Sequence, residues 1–463
     1  MKRSWFSVLI IWAVLITVGF GQDFKALNKK MIDAYAKTFH AEEGNVARQN
    51  ALANNSIKSL SIDRETRINQ QHYFSDKIDV KGISNQKSSG RCWLFAGLNI
   101  LRPIVIEKHD LENFEFSQNF LFFYDKMEKA NLFLNQMILM RERDIHDREL
   151  EFLLDSPIGD GGQWNMVVDL VEKYGLVPMS AMPETYASSR TKEMNMLLKK
   201  RLRKAAATIR EASEKSLQSK IHEVALTDVY RILALALGEP PQTFFWQYED
   251  EDGKLSKSIK YTPGEFRDKV VNHDLSNYVY LLQNPTKEYY QTYSISLDRD
   301  MVEKPDMSVL NIPSAAIKAQ TLKAVLDDEP IWFACDVGQE QLGADGLMVR
   351  GIYDYEALMG VDFGLTKREQ ILYGESIPTH AMVFIGVDVV GKQARQWRVE
   401  NSWGTDRGND GYWLMDDAWF DQYLYGVILP RKYLDKKTAA ALNVNPIVLP
   451  PWDAMYEMIR GPE

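Results

Sequence analysis

The apolar positions of this chain follow two different periods. Up to about residue 240 they recur mostly at helical spacing, and beyond it they gather into short runs. Ala26 to Phe39 carries apolar residues on one helical face. From Cys92 the chain is apolar and helix-forming as far as Pro103, whose ring should kink or end the helix. Ser117 is placed to cap a helix running through Phe120 to Leu134. Gln163 to Tyr174 reads as a helix that stops at Gly175. Residues 190–238 read as almost wholly helical, with no Pro and no Gly before Gly238.

After Pro240-Pro241 the pattern changes. Thr243 to Tyr248 and Leu255 to Tyr261 flank an acidic, Gly-containing turn and predict a β-hairpin. Thr262-Pro263 then predicts the start of a short helix. Strands are expected at Tyr293 to Leu297, Pro330 to Cys335, Ala381 to Val389, Gln396 to Glu400 and Gly411 to Met415. Helices first and strands last predict an α+β protein rather than alternating βαβ units.

The first 21 residues follow a different logic. Lys2 and Arg3 precede an uncharged, mostly apolar run from Trp5 to Phe20, with Gly19 and Gly21 at its end. That order is the pattern of a secretory signal peptide. The run is shorter than the roughly 20 residues of a spanning helix, which favours a cleaved leader over a retained anchor. We therefore expect an exported protein, periplasmic or secreted, with no stable membrane span after cleavage.

Composition narrows the classes further. The chain has 463 residues, 45% hydrophobic and 26% charged, which is ordinary globular usage. Its formal charge of −9 argues against general affinity for nucleic acid. The basic cluster Lys199, Lys200, Arg201, Arg203 and Lys204 then reads first as a solvated helix face. Two cysteines, Cys92 and Cys335, are too few for a disulfide scaffold.

The two cysteines sit in unlike surroundings. Cys335 lies in the apolar strand Ile331 to Asp336 and reads as a buried structural thiol. Cys92 follows the polar turn Gln86-Lys87-Ser88-Ser89-Gly90-Arg91 and begins a helix. Backbone N–H groups and the positive end of the dipole favour a thiolate there. A thiolate nucleophile needs a proton acceptor, most economically a histidine. Of seven histidines, His380 alone stands at the head of an apolar strand, where it can face a cleft. Asn401, in the turn after the next strand, can orient its imidazole without adding charge. Trp403 can shield that bond from water. Gln86, six residues before Cys92, can supply an oxyanion donor beside the Cys92 N–H. Each of these signals is weak alone; together they fill every role of one mechanism.

These residues resemble those of the papain-like cysteine peptidases, and among them the bleomycin hydrolase and aminopeptidase C family. The resemblance rests on Gln86 to Trp93, Glu115 to Asn119, Leu121 to Lys126 and Asp160-Gly161-Gly162-Gln163-Trp164. It extends through Gly374-Glu375-Ser376, Thr379 to Met382, Glu400 to Gly404 and Ile447 to Asp453. The resemblance implies a papain-like two-lobed fold, a helical lobe plus a β-barrel-like lobe, with a helical insertion and a C-terminal arm. The implied division is a leader at 1–21 and a helical lobe with the nucleophile at 22–189. A mainly helical insertion with its hairpin follows at 190–290, a strand-rich lobe with His380 and Asn401 at 291–440, and the arm at 441–463.

The resemblance also assigns roles. Cys92 attacks the peptide carbonyl, His380 shuttles the proton, and Asn401 orients His380. Gln86 stabilises the oxyanion, and Gly161, Gly162 and Trp403 bind substrate. No metal and no cofactor is implied. Members form hexameric rings, and their C-terminal arm lies in the cleft, so that peptides are cleaved from the free amino end.

Two departures bear on function. Familiar members are intracellular, whereas this chain opens with a leader. The arm also runs on past Met455 through Tyr456 to Glu463, where members usually end within a few residues. If the longer arm does not anchor the substrate amine, an endopeptidase or a carboxypeptidase-like enzyme results. A non-catalytic binding protein with the same fold is the alternative of another class.

Overall fold

The computed structural model describes residues 26–456 and Met458. The expected leader lies outside the described residues. The chain divides into two compact units after Ser61. In the first, helices occupy Lys29–Ala41, Asn45–Leu52 and Ile57–Leu60. Asn28 caps the first of them, its side-chain oxygen accepting from the Met31 N–H at 3.1 Å.

The second unit carries the chemistry. Its helices follow the local signals closely. Helix Cys92–Asn99 is buried along its whole length, and helix Arg102–His109 follows with Pro103 in its first turn. The helix from Cys92 thus ends before Pro103, as expected, and Pro103 sits in the first turn of the next, where its missing N–H has no helical partner. Ser117 caps helix Gln118–Leu139, its hydroxyl accepting from the Phe120 N–H. Trp164–Tyr174 ends where Gly175 turns to φ 80°.

The long stretch from residue 190 is two helices, Lys192–Glu211 and Lys215–Leu237. Met194, Leu198, Leu202, Ala205 and Ile209 form the buried stripe of the first, and Ala225, Val229, Leu233 and Leu237 that of the second. The break between them needs no Pro or Gly. Gln218 and Arg141 both donate to the Ala212 carbonyl and take up the acceptor that the first helix leaves open. Arg201 of the basic cluster pairs with Asp228, and Arg203 donates to the Leu154 and Asp155 carbonyls.

The described strands form one 12-stranded sheet and one two-stranded hairpin. The hairpin pairs Phe244–Trp246 with Ile259–Tyr261. At the centre of the large sheet, strand His380–Val390 runs antiparallel to Ile331–Cys335 on one side and Gln393–Glu400 on the other. Ile331–Cys335 also pairs with Leu424–Pro430, which pairs with Tyr278–Leu282. Every residue of Ile331–Cys335 and of Leu424–Pro430 is buried, which explains continuous apolar runs in place of alternation. Tyr278–Leu282 falls inside the 190–290 stretch read as the insertion, yet it is hydrogen-bonded into this sheet.

The C-terminal arm is built on the sheet edge. Strand Ile447–Leu449 pairs in parallel with Gln291–Ile295. Asp453 is bonded to Lys287 at 2.7 Å, and Met455, Tyr456 and Met458 are buried. Gln163 Nε2 donates to the Met455 carbonyl at 2.8 Å, which brings the arm beside Gly161-Gly162.

Candidate active site

Cys92 is the first residue of its helix, preceded by Arg91 in a non-helical conformation with no side-chain cap. The backbone N–H groups of Ala381, Trp93 and Cys92 act on its thiol. Those donors favour a thiolate, as the helix start predicts. Burial outweighs them and pushes the thiol up to about 11. Burial thus favours the protonated form of the isolated thiol. The Ala381 contact sets the thiol against the residue next to His380.

His380 opens its strand opposite Cys335, and the ladder fixes its backbone. Its Nε2 lies 2.8 Å from Asn401 Oδ1. The same Oδ1 accepts the Ser402 N–H at 2.8 Å. A backbone N–H can only donate, so the atom it meets is the amide oxygen and His380 Nε2 is the protonated nitrogen. Nδ1 is then left with its lone pair, the form a general base requires. The Trp403 ring lies 4.8 Å from the imidazole, tilted by 35°. Burial pushes His380 down to about 4, with the Asn401 bond acting in the opposite sense. Desolvation thus holds both partners neutral when each is taken alone, and transfer of the thiol proton to the imidazole would create the two charges together.

Gln86 is buried next to this pair. Its Nε2 donates to the Ser89 carbonyl at 2.6 Å, and its Oε1 accepts from the Ser402 hydroxyl at 2.6 Å. The Ser89 hydroxyl returns a bond to the Gln86 carbonyl at 2.7 Å. The Gln86 N–H donates to Ser402 O, and the Gly404 N–H to Ser84 O. The turn bearing Gln86 and the turn bearing Asn401 are therefore stitched together. One hydrogen of the Gln86 amide remains for another acceptor.

The cleft wall follows from Asp160. Trp93 Nε1 donates to the Asp160 carbonyl at 2.8 Å, and Lys129 Nζ to the Gly161 carbonyl at 2.5 Å. A Cβ on Gly162 would come within 2.6 Å of the Trp93 indole. Gly162 therefore has a packing reason to be glycine, beyond any approach of substrate. Cys92 and Cys335 are both free thiols. Among the described residues no group of three His, Cys, Asp or Glu is placed to hold a metal ion.

Known proteins resemble nearly the whole chain. The profile of the peptidase C1-like family matches residues 26–456. The chain belongs to that family. It is 37% identical over 432 residues to the aminopeptidase C of Listeria monocytogenes, covering 93% of this chain and 98% of the relative. It is 35% identical over 445 residues to human bleomycin hydrolase, covering 93% of this chain and 98% of the relative. The crystal structure of PepW from Lactobacillus rhamnosis superposes with a TM-score of 0.91 at 37% identity, covering 93% of this chain and 98% of that one. The chain is accordingly a cysteine peptidase with the papain-like fold.

For this peptidase, residue patterns left several contributors without a role. Ser402 bonds Gln86, Gln163 holds the arm, and Asp160 and Arg91 hold the nucleophile turn. All four lie within the matched motifs, but nothing in their spacing says what they touch. Arg91, with no side-chain exposure, makes a bidentate bond to Glu184 at 2.9 and 2.7 Å, a partner 93 residues away.

Proposed function

We propose that this peptidase is an aminopeptidase that cleaves near the free amino end of peptides through Cys92, His380 and Asn401. The bond between His380 Nε2 and Asn401 Oδ1, with the Cys92 thiol against Ala381, is the observation that carries the reading. In this mechanism the Cys92 proton passes to His380 Nδ1 as sulfur bonds to the substrate carbonyl carbon. The oxyanion that develops takes the Cys92 N–H and the remaining Gln86 N–H. His380 then returns the proton to the leaving amine, and water, activated by the same imidazole, releases the acid and restores the thiol. Asn401 keeps the imidazole in the required tautomer throughout. Gly161 and Gly162 line the path of an extended peptide, and Trp403 covers the His380–Asn401 bond.

The exopeptidase direction is supported by the arm. The Met455 carbonyl sits on Gln163, one residue past the glycine pair, where a longer peptide would have to run. Relatives named aminopeptidase C point the same way. An arm that does not anchor the substrate amine would instead give the endopeptidase reading. Mass spectrometry of products from matched free and N-acetylated peptides separates the two. Stepwise loss of N-terminal residues from the free peptide alone is expected. Equal cleavage of the blocked peptide would establish endopeptidase action. Cys92→Ala should abolish both.

The same reading includes export and assembly. The leader at 1–21 supports an exported enzyme, tested by N-terminal sequencing of the protein recovered outside the cytoplasm. The family resemblance supports a hexameric ring acting on peptides, tested by the mass in solution.

A further inference from the structure

Asp160 precedes the glycine pair, and nothing in the mechanism above uses its side chain. Yet its buried carboxylate takes four partners. Oδ2 accepts the Gly90 N–H at 3.2 Å and the Thr191 hydroxyl. Oδ1 accepts Asn195 Nδ2 at 2.6 Å and pairs with Lys126 Nζ at 2.7 Å. The Asp160 carbonyl takes Trp93 Nε1 at 2.8 Å. Lys126, whose side chain has no exposure, also donates to the Gly159 carbonyl at 2.5 Å. A single residue therefore ties the turn before Cys92, the first turn of its helix, the glycine wall and the insertion helix Lys192–Glu211. We propose that Asp160 is a positioning residue: its carboxylate fixes the Gly90 amide, and so aims the Gln86–Cys92 turn that carries both oxyanion donors.

The physical case is one of satisfaction. Gly90 lies in irregular backbone, where no helix or ladder partner can take its N–H. A charged acceptor gives it a stronger bond than a neutral one. The surrounding donors hold the carboxyl well below the usual carboxylate range against its burial, so the acceptor stays ionised. Thr191 and Asn195 bring the insertion into contact with the turn. The insertion is thus coupled to the geometry of oxyanion stabilisation.

This inference rests on Cys92 being the nucleophile, and the experiment checks that first. Iodoacetamide should inactivate the wild-type enzyme with label on Cys92; absence of label there removes the proposed mechanism itself. With label on Cys92, Asp160→Asn is compared with wild type on a short fluorogenic aminoacyl substrate. An amide presents one acceptor atom to donors that need two, so Gly90 loses its hold. We expect kcat to fall roughly 10- to 100-fold with KM within about threefold. Alkylation displaces iodide and develops no oxyanion, so its rate at Cys92 should be undiminished. Loss of a nearby negative charge should even favour the thiolate. A kcat within twofold of wild type overturns the proposal. So does a parallel fall in kcat and alkylation, which a general collapse of the site would give. Asn195→Ala removes one support without touching charge. If Asp160→Asn does not fold, a several-fold fall in kcat at constant alkylation in Asn195→Ala sustains the proposal, and unchanged kcat overturns it.

Discussion

The two halves of the active site are held by different means. On the nucleophile side the turn from Gln86 to Arg91 has only isolated backbone bonds, from the Gln86 and Ser88 N–H groups to the Ser402 and Ser189 carbonyls, and ionic groups hold the rest. Arg91 is locked to Glu184, bonded to the Ser89 hydroxyl, and stacked 5.1 Å from the Phe95 and Phe122 rings. Gly90 is held by Asp160. On the base side His380 and Ala381 sit in register with Cys335 and Ala334 of a fully buried strand, and a single side-chain bond to Asn401 completes the arrangement. Regular backbone takes its precision from neighbouring backbone. Irregular backbone must obtain it from side chains, and when buried it draws on charged ones.

That contrast can be broken from either side. The largest effect should come from Arg91→Met, which strips Glu184 of its bidentate partner. Arg91 is fully buried and Glu184 partly exposed, so the loss is about 2 kcal/mol, read as a lowered urea midpoint at unchanged slope. A loss under about 1 kcal/mol would show that ionic groups are not what holds the turn. Asn401→Ala should do the reverse. We expect kcat/KM to fall roughly 10- to 100-fold with stability little altered, because the ladder still places His380. A large loss of stability would erase the distinction between the two sides.

A third measurement sharpens the base side. His380 in the fold sits near 4, below its unfolded value of about 6.5. Between these values the unfolded chain binds the proton that the folded chain refuses. The contribution of neutral His380 is thus complete above about pH 6.5 and is lost as pH falls toward 4. Stability should drop by about 1 kcal/mol between pH 6 and pH 5 on this account, and His380→Gln should remove that part of the slope. An unaltered slope would place the titration elsewhere.

The smallest effect concerns partners rather than burial. Asp298 and Asp300 are as buried as Asp160, but none of their carboxylate oxygens has a hydrogen-bond partner. Burial raises both well above the usual carboxylate range, the opposite of Asp160. Such groups bind protons that the unfolded chain has released, so their cost grows with pH. Asp298→Asn should then stabilise the fold at pH 7 by about 1 kcal/mol, with less gain at pH 4. A loss of stability at pH 7 would show that Asp298 has a charge partner in solution.

Local signals determined a good deal. Ser117 capped its helix, Gly175 stopped the next one, and the acidic turn after Tyr248 joined two strands, because caps and turns satisfy backbone groups within a few residues. The strand Leu424–Pro430 was not marked, since a strand buried on both faces shows no alternation. Tyr278–Leu282 was hidden for the same reason and was counted with the insertion instead of the sheet.

The chemistry divides along the same line. Cys92, His380, Asn401 and Gln86 were legible as candidates because residue type, helix start, strand start and turn each restrict what a side chain can do. Only the tertiary structure showed that burial opposes what the helix start favours and raises the Cys92 thiol. It alone also revealed what Asp160, Arg91, Ser402 and Gln163 hold. Their partners lie up to 316 residues away, and hydrogen bonds across such distances leave no period in the sequence.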